Sequence, residues 1–292
     1  MTNTHEITTG TVDLGEVRLA YRERGTGTPV LLLHAGGFGE WFAPVFDEPA
    51  LDGVRLVELH RPGYGGSSTP EGHLTVADIA RLARRFLREL GIERAVWVGH
   101  SSSGSVALQA AIDAPDAVER LVLIEPAPSP AGPSAEELVR TAVGPALGAA
   151  HAGDFRGATD AFMTGVGGPG WADLVRERFG ADGLERLLRD SRFFLGDEVV
   201  AAQEWAIDEE TAARVTAPTT LAYGEAGATK AHEETTRMLA AWIPGAELVA
   251  LPGVGHLMTL EDPAAVARLV AGGGQSKLCS GPGKVPSRTS RA

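Results

Sequence analysis

Residues 97–107 read WVGHSSSGSVA, with four serines within positions 101–105, between a short apolar run and a run typical of a helix. A serine nucleophile needs an exposed, tightly constrained backbone position beside a base. A sharp turn between a strand and a helix supplies that position when a small residue stands two places before the serine. With Ser101 as the nucleophile that residue is Gly99, whereas Ser102 would put the bulky His100 there. The stretch therefore predicts a strand, a turn at Ser101 and a helix starting at Ser102, whose backbone N–H is placed to bind an oxyanion.

Strands and helices alternate on both sides of this stretch. Short apolar runs indicate buried parallel strands, and apolar residues at helical spacing indicate amphipathic helices. The predicted strands are 17–22, 30–33, 54–59, 95–98, 121–124, 219–223 and 247–251, and the predicted helices are 75–90, 102–113, 230–242 and 263–270. Because parallel strands need crossover connections, the pattern predicts an α/β fold with a mostly parallel central sheet and helices on both faces.

Composition divides the chain into three kinds of segment. Residues 1–128 and 217–271 carry the strand–helix alternation and are predicted to form the core. Residues 129–216 contain aromatic-rich helical segments without a strand pattern, which predicts an inserted helical cap over the sheet. Residues 272–292 contain basic residues, no acids and almost no large apolar residue, so we expect a disordered tail.

The overall composition argues against several classes of function. A net charge of −12 disfavours nucleic acid as a partner, because phosphate binding needs clustered cations. Cys279 is the only cysteine, and the eight histidines lack metal-ligand spacing, so no metal and no cofactor are expected. The N-terminus lacks a signal-peptide pattern, and no apolar stretch reaches the length of a membrane span. We expect a cytoplasmic protein without membrane or nucleic-acid partners, and a homodimer is left open.

Four motifs, in chain order, carry a resemblance to the α/β-hydrolases. His34-Ala35-Gly36-Gly37 follows a strand, as the HG-type loop of that family does, and HRPGYGGS at 60–67 is similar to its D-x-R-G-x-G-x-S turn, with His60 in place of Asp. GHSSSG at 99–104 is similar to the G-x-S-x-G nucleophile elbow, with Ser103 in place of the last glycine. LPGVGH at 251–256 follows the last strand, where the family has its catalytic histidine. The resemblance spans roughly residues 10 to 271.

The resemblance implies a site at the carboxyl edge of the sheet. Ser101 would be the nucleophile and His256 its general base, and the backbone N–H groups of Gly36 and Ser102 would hold the oxyanion. His256 also lies in a glycine-flanked loop at the edge where open α/β sheets hold their ligands. The other histidines considered, namely His5, His73, His151 and His232, are given structural roles.

The acid that orients the histidine departs from the family pattern. After the strand at 219–223 the family has G-x-x-D, but this chain has Gly224-Glu225-Ala226-Gly227. A glycine cannot orient an imidazole, and loss of the acid costs about four orders of magnitude in turnover. A working hydrolase is therefore expected to take its acid from another position.

Glu125 is the preferred candidate for that acid. It ends the strand at 121–124, so it lies on the same sheet edge as Ser101, and an ionised carboxylate there must be paired. Some α/β-hydrolases, including haloalkane dehalogenases and zearalenone lactonases, take the acid from this strand end. Glu225, an acid from the cap, and no acid at all remain the alternatives.

The sequence thus predicts a serine hydrolase that cleaves a hydrophobic ester or lactone through Ser101, His256 and Glu125. Gly37, Phe38, Phe162 and Trp205 are proposed to line its substrate pocket. A perhydrolase, a carbon–carbon bond hydrolase or a thioesterase using the same residues is an alternative. A non-hydrolytic relative that binds a small apolar ligand under the cap is a further alternative, favoured by the glycine at 227.

Overall fold

The computed structural model describes residues 6–127 and 132–272. Its central element is a single eight-stranded sheet. The spatial order of the strands is β1-β2-β4-β3-β5-β6-β7-β8. Their bounds are β1 Thr8–Asp13, β2 Arg18–Arg24, β3 Thr28–Leu33, β4 Val54–Leu59, β5 Ala95–His100, β6 Val118–Ile124, β7 Thr219–Gly224 and β8 Glu247–Leu251. Strand β2 is antiparallel to both β1 and β4, and the remaining neighbours are parallel.

The two faces of the sheet have separate apolar cores. On β3, Leu31 and Leu33 face one core, and Val30 and Leu32 face the other, as the two-residue period of a strand requires. The first core packs against helices α1 (Val76–Glu89), α2 (Ser102–Asp113) and α9 (Ala231–Trp242), and the second against α11 (Pro263–Val270). The predicted fold class, a mostly parallel sheet with helices on both faces, is confirmed.

Most of the other helices lie between β6 and β7. They are α3 Pro133–Leu138, α4 Gly144–His151, α5 Phe155–Gly167, α6 Trp171–Phe193, α7 Val199–Glu204 and α8 Glu209–Ala212, with π-helical turns at Val139–Val143 and Phe194–Glu198. Short helix α10 (Met258–Glu261) precedes α11, and 3₁₀ turns occur at Ala43–Val45, Pro49–Leu51 and Pro115–Ala117. We call residues 133–212 the helical segment.

The helical segment packs against the loop after β3 and hydrogen-bonds to it. Its apolar side chains form one cluster with Phe38, Trp41 and Tyr64 from the loops after β3 and β4. Three polar contacts from α6 reinforce the packing, since Ser191 Oγ donates to Gly37 O, Gly39 N donates to Asp190 Oδ2 and Arg186 pairs with Glu40. These contacts hold the segment over the carboxyl edge of the sheet.

Strand β1 was not predicted, because its sequence, TTGTVD, is polar and its side chains are largely exposed at the edge of the sheet. The predicted tail lies outside the described residues, except for Gly272. Within 6–127 and 132–272, none of the helices combines the length and apolarity needed to cross a bilayer.

Candidate active site

A strained turn holds Ser101 between β5 and α2. Ser101 has φ 53° and ψ −121°, a backbone conformation that residues other than glycine rarely adopt. A Cβ atom placed on Gly99 would lie 2.3 Å from Ser103 O, so glycine is required two residues before the serine. The local geometry is therefore the tightly constrained turn between strand and helix that the sequence predicted at Ser101.

Ser103 stands where the family pattern has its last glycine, and its hydroxyl group is accommodated there. Ser103 is fully buried, and its hydroxyl donates to His34 O at 2.6 Å, so the polar group has a partner. The close approach occurs one residue later, where a Cβ on Gly104 would lie 2.7 Å from Pro126 Cβ. Gly104 therefore lets α2 pack against the turn after β6.

Ser101, His256 and Glu125 form one chain of hydrogen bonds. His256 Nδ1 donates to Glu125 Oε2 at 2.6 Å, and His256 Nε2 lies 3.1 Å from Ser101 Oγ. The other carboxylate oxygen, Oε1, accepts from Gly224 N at 2.8 Å. All three side chains are buried. Burial lowers the pKa of His256 from 6.5 to about 3, which keeps its ring neutral and able to accept a proton.

The loop that carries His256 is fixed from two sides. His100 Nε2 donates to His256 O at 3.0 Å, and Gly255 N donates to Glu261 Oε2 at 2.5 Å. Burial of the carboxyl group raises the pKa of Glu261. These contacts fix the backbone of the loop from which the imidazole of His256 extends.

Neither alternative position supplies an acid to His256. Glu225, in the loop after β7, is exposed, and its backbone N–H donates to Leu251 O at the end of β8. A Cβ on Gly227 would meet Thr229 O at 3.1 Å, so this position is crowded as well as lacking a carboxylate. The structure thus places Glu125, and not Glu225, against His256.

Two backbone N–H groups near Ser101 are left without an acceptor in the part of the chain that the structure describes. Ser102 begins α2, so its N–H has no acceptor within the helix. Gly36 lines a small space beside Ser101 and His256, and among the described residues its N–H has no acceptor. A Cβ on Gly36 would lie 2.3 Å from the ring of Phe194, so the loop after β3 and the helical segment touch at this glycine.

A buried ion pair lies behind Ser102. Arg61 Nη1 pairs with Glu198 Oε2 at 2.6 Å, and both side chains are almost fully buried. Ser102 Oγ donates to Glu198 Oε1 at 3.0 Å and accepts from Arg61 Nη2 at 3.3 Å. Because Glu198 belongs to the helical segment, the network ties that segment to the residue beside the nucleophile. No sequence pattern singled out Glu198.

A large apolar cavity opens from Ser101 into the helical segment. It has a volume of about 490 Å³ and lies between α3, α5, α7 and the two π-helical turns. Its lining includes Ser101, Leu138, Phe162, Phe194 and Val199. On the side of Gly36 and His256, Ser101 borders a space of only about 10 Å³, and Phe162 and Phe194 line both spaces.

Of the four residues proposed to line the pocket, only Phe162 does so. Phe38 is fully buried and packs edge-on against Trp41 and Phe179. Trp205 donates its indole N–H to Gln109 and packs against the apolar core that contacts α1, α2 and α9. Gly37 accepts from Ser191 through its carbonyl instead of facing the cavity. The predictions for Phe38, Trp205 and Gly37 are wrong, because residue type alone does not show which face of a loop or helix is covered.

His232 was given a structural role from the sequence, yet it lines the large cavity. Its ring stacks on His256 with centroids 3.9 Å apart and an angle of 25° between planes. Burial, reinforced by the nearby His256, holds the pKa of His232 well below 6.5. No motif surrounds His232, so the sequence contained no signal for this contact.

Among the described residues, one group has the composition and spacing of a possible metal site. It consists of Glu125, His232 and His256, whose ligand atoms lie within 4.8 Å of one another. The Nδ1 of His256 is already bonded to Glu125. Metal ions bind imidazole nitrogens in the plane of each ring, and two planes 3.9 Å apart at an angle of 25° do not meet within metal–nitrogen bonding distance of both rings. This arrangement suits a hydrogen-bonded pair with a stacked neighbour better than a metal site.

Comparison with known proteins gives matches over most of the chain. A model described as the alpha/beta hydrolase family matches residues 30–269. Over 115 residues the chain is 37% identical to the dihydrolipoyllysine-residue acetyltransferase component of the acetoin cleaving system of Cupriavidus necator, covering 39% of this chain and 31% of that protein. Over 126 residues it is 32% identical to the 2-hydroxy-6-oxo-6-phenylhexa-2,4-dienoate hydrolase of Comamonas testosteroni, covering 39% and 42%. The matches span less than half of either curated relative.

Solved structures match over nearly the whole length. A hydrolase from Pseudomonas aeruginosa PA01 superimposes with a TM-score of 0.67 at 26% identity, covering 94% of this chain and 99% of that one. The enol-lactonase from Burkholderia xenovorans LB400 superimposes with a TM-score of 0.72 at 22% identity, covering 90% and 98%. The second likeness, at its low identity, shows the shared fold.

Proposed function

The chain belongs to the alpha/beta hydrolase family, and on that premise we propose that it is a serine hydrolase that cleaves a hydrophobic carboxylic ester or lactone. The observation that carries the proposal is the hydrogen-bonded chain from Ser101 Oγ through His256 to Glu125. A buried neutral imidazole between a hydroxyl and a carboxylate is the arrangement that activates a serine.

The proposed reaction starts when Ser101 Oγ attacks the substrate carbonyl carbon. The hydroxyl proton passes to His256 Nε2, and the carbonyl π electrons move to oxygen, where the N–H groups of Gly36 and Ser102 stabilise the negative charge. Glu125 stabilises the imidazolium. The tetrahedral adduct expels the alcohol, which takes the proton from His256, and a water molecule repeats the sequence to release the acid and restore Ser101.

The two spaces beside Ser101 favour an asymmetric substrate. The cavity of about 490 Å³ takes a bulky apolar group, whereas the space of about 10 Å³ near Gly36 has room for no more than about one water molecule. We therefore propose an ester with one large apolar half and one small half, or a lactone whose ring lies toward the large cavity.

A carbon–carbon bond hydrolase is the second candidate, because the Comamonas relative is named as a hydrolase of a phenylhexadienoate. Its dienoate substrate carries a carboxylate, which needs a cation in the pocket. The described lining of the large cavity offers Arg140, and Glu137 already holds that guanidinium through two nitrogens. The apolar cavity therefore favours the ester or lactone.

The test is covalent labelling by a fluorophosphonate, followed by peptide mapping and by assays with uncharged esters and lactones. We expect one labelled site, Ser101, and ester turnover that disappears in Ser101→Ala. A wild-type protein that is neither labelled nor able to turn over esters would instead indicate the ligand-binding alternative. A protein that is labelled at Ser101 but cleaves only the dienoate would favour the second candidate.

A further inference from the structure

His232 contacts the ring of His256 on a face that the hydrogen bonds leave free. Glu125 and Ser101 occupy the two nitrogens of His256, at its edges. His232 covers the ring itself, with centroids 3.9 Å apart and planes 25° from parallel. The contact comes from α9, where His232 is the second residue of the helix, and it is 3% exposed.

The two other histidine rings near the site make different contacts. His100 is tilted by 49° at 5.0 Å from His256, and it acts on the backbone through the carbonyl of His256. His34 uses both nitrogens in backbone contacts, with Ala35 O and with Arg61 N. His232 is therefore distinguished by a stacked geometry and by its position on the wall of the substrate cavity.

We propose that His232 is a positioning residue that stabilises the His256 imidazolium by stacking its neutral ring on that cation. The inference rests on the proposed serine hydrolase function. In the step concerned, the Ser101 proton moves to His256 Nε2 while Oγ bonds to the carbonyl carbon, so positive charge appears on the stacked ring and nowhere else. The electron-rich face of an aromatic ring attracts a cation, and the attraction is strongest where water is excluded.

The stack has a second effect on the same ring. Because His232 covers the face of His256 toward the cavity, water cannot solvate the imidazolium from that side. The charge is then stabilised by Glu125 in the ring plane and by His232 above it. An aliphatic side chain of similar size would still exclude water but would not attract the cation.

The experiment compares His232→Leu with His232→Phe. Both variants are apolar and both exclude water, but only phenylalanine keeps an aromatic face. We expect His232→Leu to lower kcat and the fluorophosphonate labelling rate about tenfold with little change in KM, and His232→Phe to recover both rates to within about threefold of wild type. His73→Leu, at an exposed histidine that lines neither space beside Ser101, is the control and is expected to keep the wild-type rate.

A space-filling role for His232 makes the opposite prediction. Equal rates in His232→Leu and His232→Phe, in variants with unchanged thermal unfolding, would overturn the stacking proposal while wild-type labelling at Ser101 upheld the proposed function. A change in KM alone would make His232 a substrate contact and would also overturn the proposal. Absence of labelling in the wild-type protein would remove the proposed function and the stacking role with it.

Discussion

Ser101 and Glu125 share a backbone strain, for they are the two residues other than glycine in the described stretches 6–127 and 132–272 with a positive φ, at 53° and 41°. They stand at the ends of the neighbouring strands β5 and β6. Their turns are bonded to each other, since Ser101 N donates to Ile124 O and Ser101 O accepts from Ala127 N, both at 3.0 Å. The proposed nucleophile and acid are therefore held in one rigid unit, and His256 is brought to them from the loop after β8.

Removing the charge of Glu125 is expected to slow the attack by Ser101. Glu125→Gln keeps the size of the side chain but presents an amide to His256 Nδ1, so the tautomer and the imidazolium both lose their stabilisation. We expect kcat to fall by roughly 10³–10⁴. Glu225→Gln is the matched control, because Glu225 is exposed, and its kcat should stay at the wild-type value. A similar loss in both variants, or in Glu225→Gln alone, would place the acid elsewhere.

Breaking the buried ion pair is expected to destabilise the protein. Glu198→Leu leaves the Arg61 guanidinium buried without its carboxylate, which costs about 3–5 kcal/mol of unfolding free energy in comparable pairs. The double variant Arg61→Met with Glu198→Leu removes the charge as well and should regain most of that loss. Urea unfolding measures both.

The exposed pair between Arg156 and Glu185 provides the control for this measurement. Glu185→Leu should change the unfolding free energy by less than about 1 kcal/mol, because water screens the pair. A loss in Glu198→Leu no larger than that in Glu185→Leu would show that Arg61 finds another partner.

Stability is expected to fall steeply below pH 6.5. Burial holds the pKa values of four histidines below 6.5 in the folded chain, namely His34, His100, His232 and His256. Below pH 6.5 the unfolded chain therefore binds protons that the folded chain does not, so stability present above that pH is lost as the pH falls. Each group contributes at most about 1.4 kcal/mol per pH unit, over the range between the unfolded pKa near 6.5 and its own lower folded pKa.

Urea titrations at half-unit pH steps would measure this slope. His34→Asn, which removes one of the four buried imidazoles, should reduce it. An unfolding free energy that stays level from pH 7 to pH 5 would mean that the buried histidines bind protons in the folded protein.

Phe162 is expected to limit the size of the smaller half of the substrate. It lines both spaces beside Ser101 and packs edge-on against Phe194 at 4.9 Å. Phe162→Ala should raise kcat/KM for esters with two bulky halves, relative to esters with one small half, by about tenfold. Phe179→Ala, which loses a ring packed on Phe38 away from both spaces, should not change that ratio. An unchanged ratio in Phe162→Ala would contradict the two-space description.

Much of the fold was predictable because its signals are local. The bounds of α2, β8 and α11 agree with the apolar periodicity, and α1 is one residue shorter at each end than the predicted 75–90. Its start is marked by a capping box, in which Thr75 and Asp78 bond to each other's backbone N–H. Edge strand β1 was missed, since its pairing with β2 depends on backbone bonds instead of an apolar pattern.

The site residues also fall into those that could be placed from local sequence signals and those that could not. Ser101 and Glu125 follow buried strands, so their meeting at one sheet edge follows from the order of the parallel strands. Glu198 and His232 reach the site from helices, and their approach depends on how α7, the π-helical turn before it and α9 pack over the sheet. That packing is set by tertiary contacts across long sequence separations, and a single sequence holds no period or motif that reports it.

The strained backbone at Ser101 affects whether a serine is retained at this position during evolution. Glycine adopts a positive φ without strain, whereas other residues held in such conformations cost about 1–3 kcal/mol. The Ser101 side chain makes no cap bond to its own helix that would compensate. Selection for a well-folded chain alone therefore favours glycine at position 101, and only the need for a hydroxyl there keeps the serine. In a lineage that no longer uses the activity, folding would not resist the loss of this residue, and the inactive descendant would be the more stable protein.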